Sequence, residues 1–292
     1  MLTTANVLAA LLALVPYLAA AFFPQNAVGL ARRLPAAFQL ALPAVFSLPY
    51  VLVACSAGVF RWGWFALYLL LPVAVAGLLL QPESAACSGD AGNWREFLVL
   101  MVLGLAVDLR WFEGAWPAHL SIFNKVLLLD TGIYGFVILR QLDGTGFDLR
   151  LRVADAASGL RELGLYTPIA LALGLGLGFL HAHAVWPRLA SIAGAWLFTF
   201  FFIAVPEELF FRGWLQNLLE RRMGRRPALF LAAALFGLAH FNKRAVHFNW
   251  RYVLLAAVAG IFYGRAWSRQ RRVGASAVTH ASVDAIWSLW LR

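Results

Sequence analysis

The chain alternates between long apolar blocks and short polar joints. Apolar runs fall near residues 4–23, 36–56, 62–80, 95–110, 119–140, 166–184, 189–217, 226–242, 250–268 and 274–291. Most are close to the ~20 residues that an α-helix needs to cross the hydrocarbon core of a bilayer. The pattern predicts an all-α, polytopic membrane bundle of about ten transmembrane helices. The fourth run is the weakest, because "DLRWFEG" cuts it short. The first run lacks a basic leader and is longer than a secretory h-region, so it reads as a retained span.

One sizeable polar segment interrupts this rhythm. Residues 141–165, "QLDGTGFDLRLRVADAASGLRELGL", mix charge signs and predict a strand or turn followed by a short interfacial helix. They divide the chain into an N-terminal helical module (1–140), a polar interfacial connector (141–165) and a C-terminal core (166–292). In that core "LALGLGLGF" spaces glycines so that helices can approach closely.

Composition and charge sharpen the picture. Hydrophobic residues make up 62% and charged residues 13% of the 292, against about 45–50% and about 25% in soluble domains. The net charge of +10 sits in joints rather than in one patch. Arg32 and Arg33, then Arg140, Arg150, Arg152 and Arg161, then Arg221, Arg222, Arg225 and Arg226, then Arg265, Arg269, Arg271 and Arg272 all follow odd-numbered spans. They share one face, which the positive-inside rule makes cytoplasmic, with both termini on the other side. Lys243, Arg244 and Arg251 break the pattern, since they fall between spans eight and nine on the outer face. Charge distributed in this way points to a lipid bilayer as partner and not to nucleic acid. Cys55 and Cys87 fall at opposite faces and no Cys-x-x-Cys occurs, so neither a disulfide between them nor thiol chemistry is expected.

Ionisable groups at membrane depth are costly and mark functional sites by default. Three stand out. In span seven, "PEELFFRGW" places Glu208 and Arg212 four residues apart on one helical face, where they can neutralise each other. Glu207 points about 100° away and is left without a partner of its own, as suits a general base that takes a proton from water. In span eight, "FGLAH" presents His240. In span ten, "HASVD" puts His280 and Asp284 one turn apart, so that the aspartate can fix the histidine tautomer. Counted at about 1.5 Å per residue, Glu207, His240 and His280 lie roughly 18, 21 and 9 Å from the cytoplasmic ends of their spans. Three antiparallel helices could therefore gather them around one wet cavity. His181, His183 and His247 are expected at the interface without a role. Lys125 and Asp130 in span five are expected to be structural, pairing with each other or with other spans.

The order Glu-Glu-x-x-x-Arg, Phe-x-x-x-His, His-x-x-x-Asp resembles the CPBP group, the type II CAAX prenyl proteases and bacteriocin-processing enzymes also called the Abi family. The resemblance covers about residues 150–292 and implies an intramembrane endopeptidase with a membrane-anchored protein or peptide as substrate. It implies that Glu207, assisted by His240, activates water, that His280 and Asp284 hold the water or the oxyanion, and that Glu208 and Arg212 support them. Position 284 is Asp where the eukaryotic members carry Asn, and an ionised Asp cannot donate to an oxyanion. The family has been described as both glutamic and metalloproteases. No His-Glu-x-x-His is present, which favours a mechanism requiring no cofactor. The alternative is zinc held by Glu207, His240 and His280.

Two other classes fit the same residues. A non-enzymatic scaffold or bacteriocin immunity protein would use the polar cluster as packing glue. A proton-coupled transporter would use it as a relay, although no paired half-helices are visible. A bacterial inner membrane is the expected location.

Overall fold

The computed structural model of the chain describes residues 3–80, 92–183, 186–243 and 247–291. Cys87 and Arg244 lie outside these residues. Among the described residues all regular structure is helical, with no strand. The chain divides into two compact units, Met1–Leu142 and Asp143–Arg292.

The first unit holds α1 (Thr4–Phe22), α2 (Pro24–Arg32), α3 (Ala36–Ser56), α4 (Trp62–Leu79), α5 (Trp94–Asp108) and α6 (Ile122–Leu139). Helix α2 lies where the apolar pattern predicts only a joint. Pro24 starts it at a position where a missing N–H costs nothing. Helix α1 turns a face of Ala9, Ala13, Tyr17, Ala20 and Ala21 inward, against α3 and α6. The polar interior here is aromatic: the Trp116 indole donates to the Tyr68 hydroxyl at 2.6 Å, and Tyr50 stacks on Tyr68. Lys125 and Asp130 do not pair. Lys125 is exposed, whereas Asp130 is buried with neither carboxylate oxygen hydrogen-bonded.

The second unit holds α7 (Val153–Gly176), α8 (Leu189–Met223), α9 (Arg225–Leu238), α10 (Trp250–Gln270) and α11 (Val273–Trp290). Only residues 141–152 of the polar connector are irregular. Its second half and the sixth apolar run form one helix, α7, because Asp155 and Glu162 are buried inside the unit rather than laid on a membrane surface. Helix α11 packs against α7, α8 and α10, and α9 packs against α8 and α10. Glycines set these approaches. A Cβ on Gly159 of α7 would come within 2.8 Å of the Ala275 carbonyl, and one on Gly237 of α9 within 2.6 Å of the Val253 carbonyl.

Length and composition qualify five helices to cross a membrane: α1, α3, α4, α6 and α8. The other runs read as spans fall outside that criterion of length and composition. Helix α5 has 15 residues and α9 has 14, and α10 carries Arg251, Arg265 and Arg269. Helices α7 and α11 spend their polar residues inside the unit.

One end of this unit is clamped by Arg272. Its Nε donates to both oxygens of Asp155 (3.1 and 2.9 Å), Nη1 to Asp148 (3.2 Å), and Nη2 to the carbonyls of Asp148 (2.9 Å) and Arg150 (2.8 Å). Arg221 donates to the Asp143 carbonyl and Arg271 to Glu220 at the same end. The arginine-rich joints of this unit therefore meet at one end. At the other end the His183 N–H donates to the Trp290 carbonyl.

Candidate active site

Pro206 interrupts α8 immediately before the paired acids. A proline cannot donate to the carbonyl one turn back. The helix widens to π-type geometry over Phe200–Ala204 and again over Leu209–Gln216, leaving Val205–Glu208 as one α-turn between them. Such irregular turns recur at functional sites. Here they set Glu207 and Glu208 in different surroundings.

Glu208 is fully buried and bridges two partners. Its Oε2 accepts from Arg212 Nε at 3.0 Å, the i,i+4 pair expected from the spacing, and its Oε1 lies 2.9 Å from His280 Nδ1. The carboxylate acceptor assigns a proton to Nδ1 and fixes the ring. Arg212 lies over the Phe236 ring at 5.1 Å, and its two Nη atoms have no hydrogen-bond partner. Tyr263 stacks beneath His280 with centroids 4.6 Å apart and planes 15° apart, so the ring cannot tilt freely.

The other imidazole nitrogen faces the reactive side. His280 Nε2 lies 3.9 Å from Glu207 Oε2 and 3.6 Å from Asp284 Oδ2. This corrects the expectation for Asp284. Glu208, 72 residues distant in sequence, fixes the histidine tautomer, while Asp284 meets the nitrogen turned toward Glu207. The side chains of Glu207 and Asp284 are 26% and 29% exposed, against 0% for Glu208, so the two outer acids are open and the inner one is closed off.

His240 is not on a helix. Helix α9 ends at Leu238, and His240 occupies the turn beyond it. Its Nδ1 lies 2.8 Å from the Phe236 carbonyl, which assigns the proton to Nδ1 and leaves Nε2 as an acceptor. Tyr252 packs beside the ring at 4.8 Å. The same turn brings Lys243 Nζ to 3.7 Å from Glu207 Oε1. Sequence patterning read Lys243 only as an outer-face charge. Its one signal was that it broke the charge rule.

His240, His280 and Asp284 line a cavity of about 340 Å³ between α7, α10 and α11. Its walls are apolar and aromatic, with Tyr166, Phe179, Tyr252, Trp287 and Trp290 among them, and it runs from His280 toward the C-terminal end of α11. His181, His183 and His247 are exposed and outside this lining. Among the described residues no group of three or more His, Cys, Asp or Glu is spaced to hold a metal ion. The ammonium of Lys243 stands 3.7 Å from Glu207, and His240, held at Nδ1 by a carbonyl, offers Nε2 as an acceptor for a proton or a metal alike.

No curated protein and no solved structure matches the chain. A family model matches residues 189–286 and leaves residues 1–188 outside the match. The matched segment contains Glu207, Glu208, Arg212, His240, Lys243, His280 and Asp284. Together with the apolar helices, the match supports an integral membrane protease acting on a peptide or protein substrate. Over residues 189–286 the chain is thus similar to the type II CAAX prenyl endopeptidase Rce1-like family, the group that its motifs resemble.

Proposed function

We propose that this domain hydrolyses a peptide bond of a membrane-associated protein or peptide by a metal-free mechanism in which Glu207 is the general base. Glu207 takes a proton from water, assisted by the acceptor nitrogen of His240, as the water oxygen adds to the scissile carbonyl. His280, held at Nδ1 by Glu208, presents Nε2 to the tetrahedral oxyanion. Asp284 faces the same nitrogen and keeps a proton on it, the part open to a group that accepts but does not donate. The proton on Glu207 then passes to the leaving amine as the C–N bond breaks. The apolar cavity takes the residues beside the scissile bond.

A single observation carries this reading. One imidazole is fixed by a buried acid at Nδ1 (2.9 Å) and turned at Nε2 toward two partly exposed acids (3.9 and 3.6 Å), and it lines an apolar cavity together with Asp284. A packing staple has no need of two further carboxylates left partly exposed. The test is cleavage of a membrane-anchored peptide, prenylated and unprenylated, by the chain in liposomes. Glu207→Gln abolishes cleavage while the melting temperature holds, His240→Ala abolishes cleavage per folded molecule, and full activity in both ends the proposal. Activity lost to a chelator and restored by Zn²⁺ moves it to the zinc alternative.

A further inference from the structure

We infer that Lys243 is a catalytic residue of this site, whose ammonium follows negative charge from Glu207 to the oxyanion. The inference rests on Glu207 acting as the base.

Lys243 is placed, not loose. Its N–H donates to the His240 carbonyl at 3.2 Å, its own carbonyl accepts from the Asn249 side chain at 3.1 Å, and the Asn249 N–H donates to the Phe241 carbonyl at 2.9 Å. The turn beyond α9 therefore presents His240 and Lys243 together, and Nζ reaches 3.7 Å from Glu207 Oε1 while Oε2 faces His280. Lys243 is 34% exposed on its side chain, so the ammonium keeps water within reach.

Charge accounting gives it a task. Glu207, Glu208 and Asp284 bring three carboxylates to His280, and Arg212 answers only Glu208. Asp284 stands where an amide donor would stabilise an oxyanion, and an ionised carboxylate there repels one. When water adds to the carbonyl, its proton goes to Glu207, its oxygen bonds to carbon, and the C=O π electrons become the oxyanion. The site's total charge is unchanged, but the negative charge moves from Glu207 to the substrate oxygen. A point charge on a four-carbon stem can move with it. Its attraction is then stronger in the transition state than a fixed pair allows, which is the condition for raising kcat.

The experiment compares Lys243→Met, Lys243→Arg and Glu207→Gln in liposomes. Lys243→Met is expected to lower kcat by about 10²–10³-fold, the usual loss for one oxyanion-stabilising group, with KM within about threefold. Lys243→Arg recovers part of the rate, because the charge remains. Adding Lys243→Met to Glu207→Gln costs little further, since both act in one step. Unchanged kcat in a well-folded Lys243→Met overturns the inference and leaves the base untouched. A loss confined to KM, or a fall in melting temperature that Lys243→Arg does not rescue, makes Lys243 structural and also overturns it. Full activity in Glu207→Gln removes the base itself, a separate failure.

Discussion

Two buried ion networks in the second unit invite comparison. Around Arg272 every guanidinium nitrogen has a partner: Nε and Nη1 reach Asp155 and Asp148, and Nη2 reaches two carbonyls. Around Arg212 only Nε is used, Nη1 and Nη2 have no hydrogen-bond partner, and the next acids outward are partly exposed. Both networks carry the cost of burying charge. The first is saturated and joins the connector to the α10–α11 corner, so its purpose is spent within the fold. The second ends on groups turned toward a cavity, which is how side chains are arranged when the last partner is a substrate. Saturation separates a clamp from a site more clearly than burial does.

The largest effect that sharpens this contrast is at the open end of the second network. Glu207→Gln is expected to lower kcat by about 10⁴-fold, the upper range for loss of a general base, with melting unchanged because the side chain is 26% exposed. A lower melting point with cleavage retained would make the site a second clamp.

Glu208→Gln is expected to cost both activity and stability. It leaves the buried Arg212 charge unanswered and loosens His280 at Nδ1. Breaking a buried pair on one side costs about 3–5 kcal/mol, read as a shift in the denaturation midpoint. Turnover of the remaining folded fraction falls as well. A variant that melts lower yet turns over normally would show that the carboxylate does not orient the ring.

Arg272→Met is expected to cost stability alone. Asp155 is fully buried and keeps the Arg152 N–H but loses its guanidinium. The loss is about 3–5 kcal/mol by the same reasoning, and cleavage per folded molecule is unchanged. A loss of turnover per folded molecule would join the two networks and remove the distinction between them.

What the sequence made legible follows from distance along the chain. Glu208 with Arg212, and His280 with Asp284, are one helical turn apart, and helix geometry alone brings them together at 3.0 and 3.6 Å. The helical class follows from long apolar runs in the same local way. The contact from Glu208 to His280 crosses 72 residues and that from Arg272 to Asp148 crosses 124, and no spacing rule reaches so far. Packing also decided what hydropathy could not. Hydropathy marks α7 and α11 as apolar but not that they turn Asp155, Glu162 and His280 inward, as a helix in a membrane bundle must do with its ionisable groups. Lys243 was hidden for a third reason. It stands in a turn, where no periodicity exists to aim it.

The smallest effect lies at the rim of the clamp. Asp148 sits in the connector, outside the helices. The Arg150 guanidinium, hydrogen-bonded at 2.8 and 2.9 Å, holds its carboxyl well below the usual carboxylate range, and Arg272 adds to this. A carboxyl depressed on folding adds stability above its unfolded value of about 3.9, and that stability drains away as pH falls below it. The melting temperature of the chain should therefore exceed that of Asp148→Asn at pH 6, and the gap should narrow as pH is lowered from about 4 toward 3. Salt divides the gap further. The Arg150 side chain is 65% exposed, so its share is screened, whereas Arg272 is 10% exposed and its share persists. No gap at pH 6 would mean that Asp148 holds the corner through its backbone carbonyl alone, which the substitution leaves in place, and the side-chain clamp would then close on Asp155.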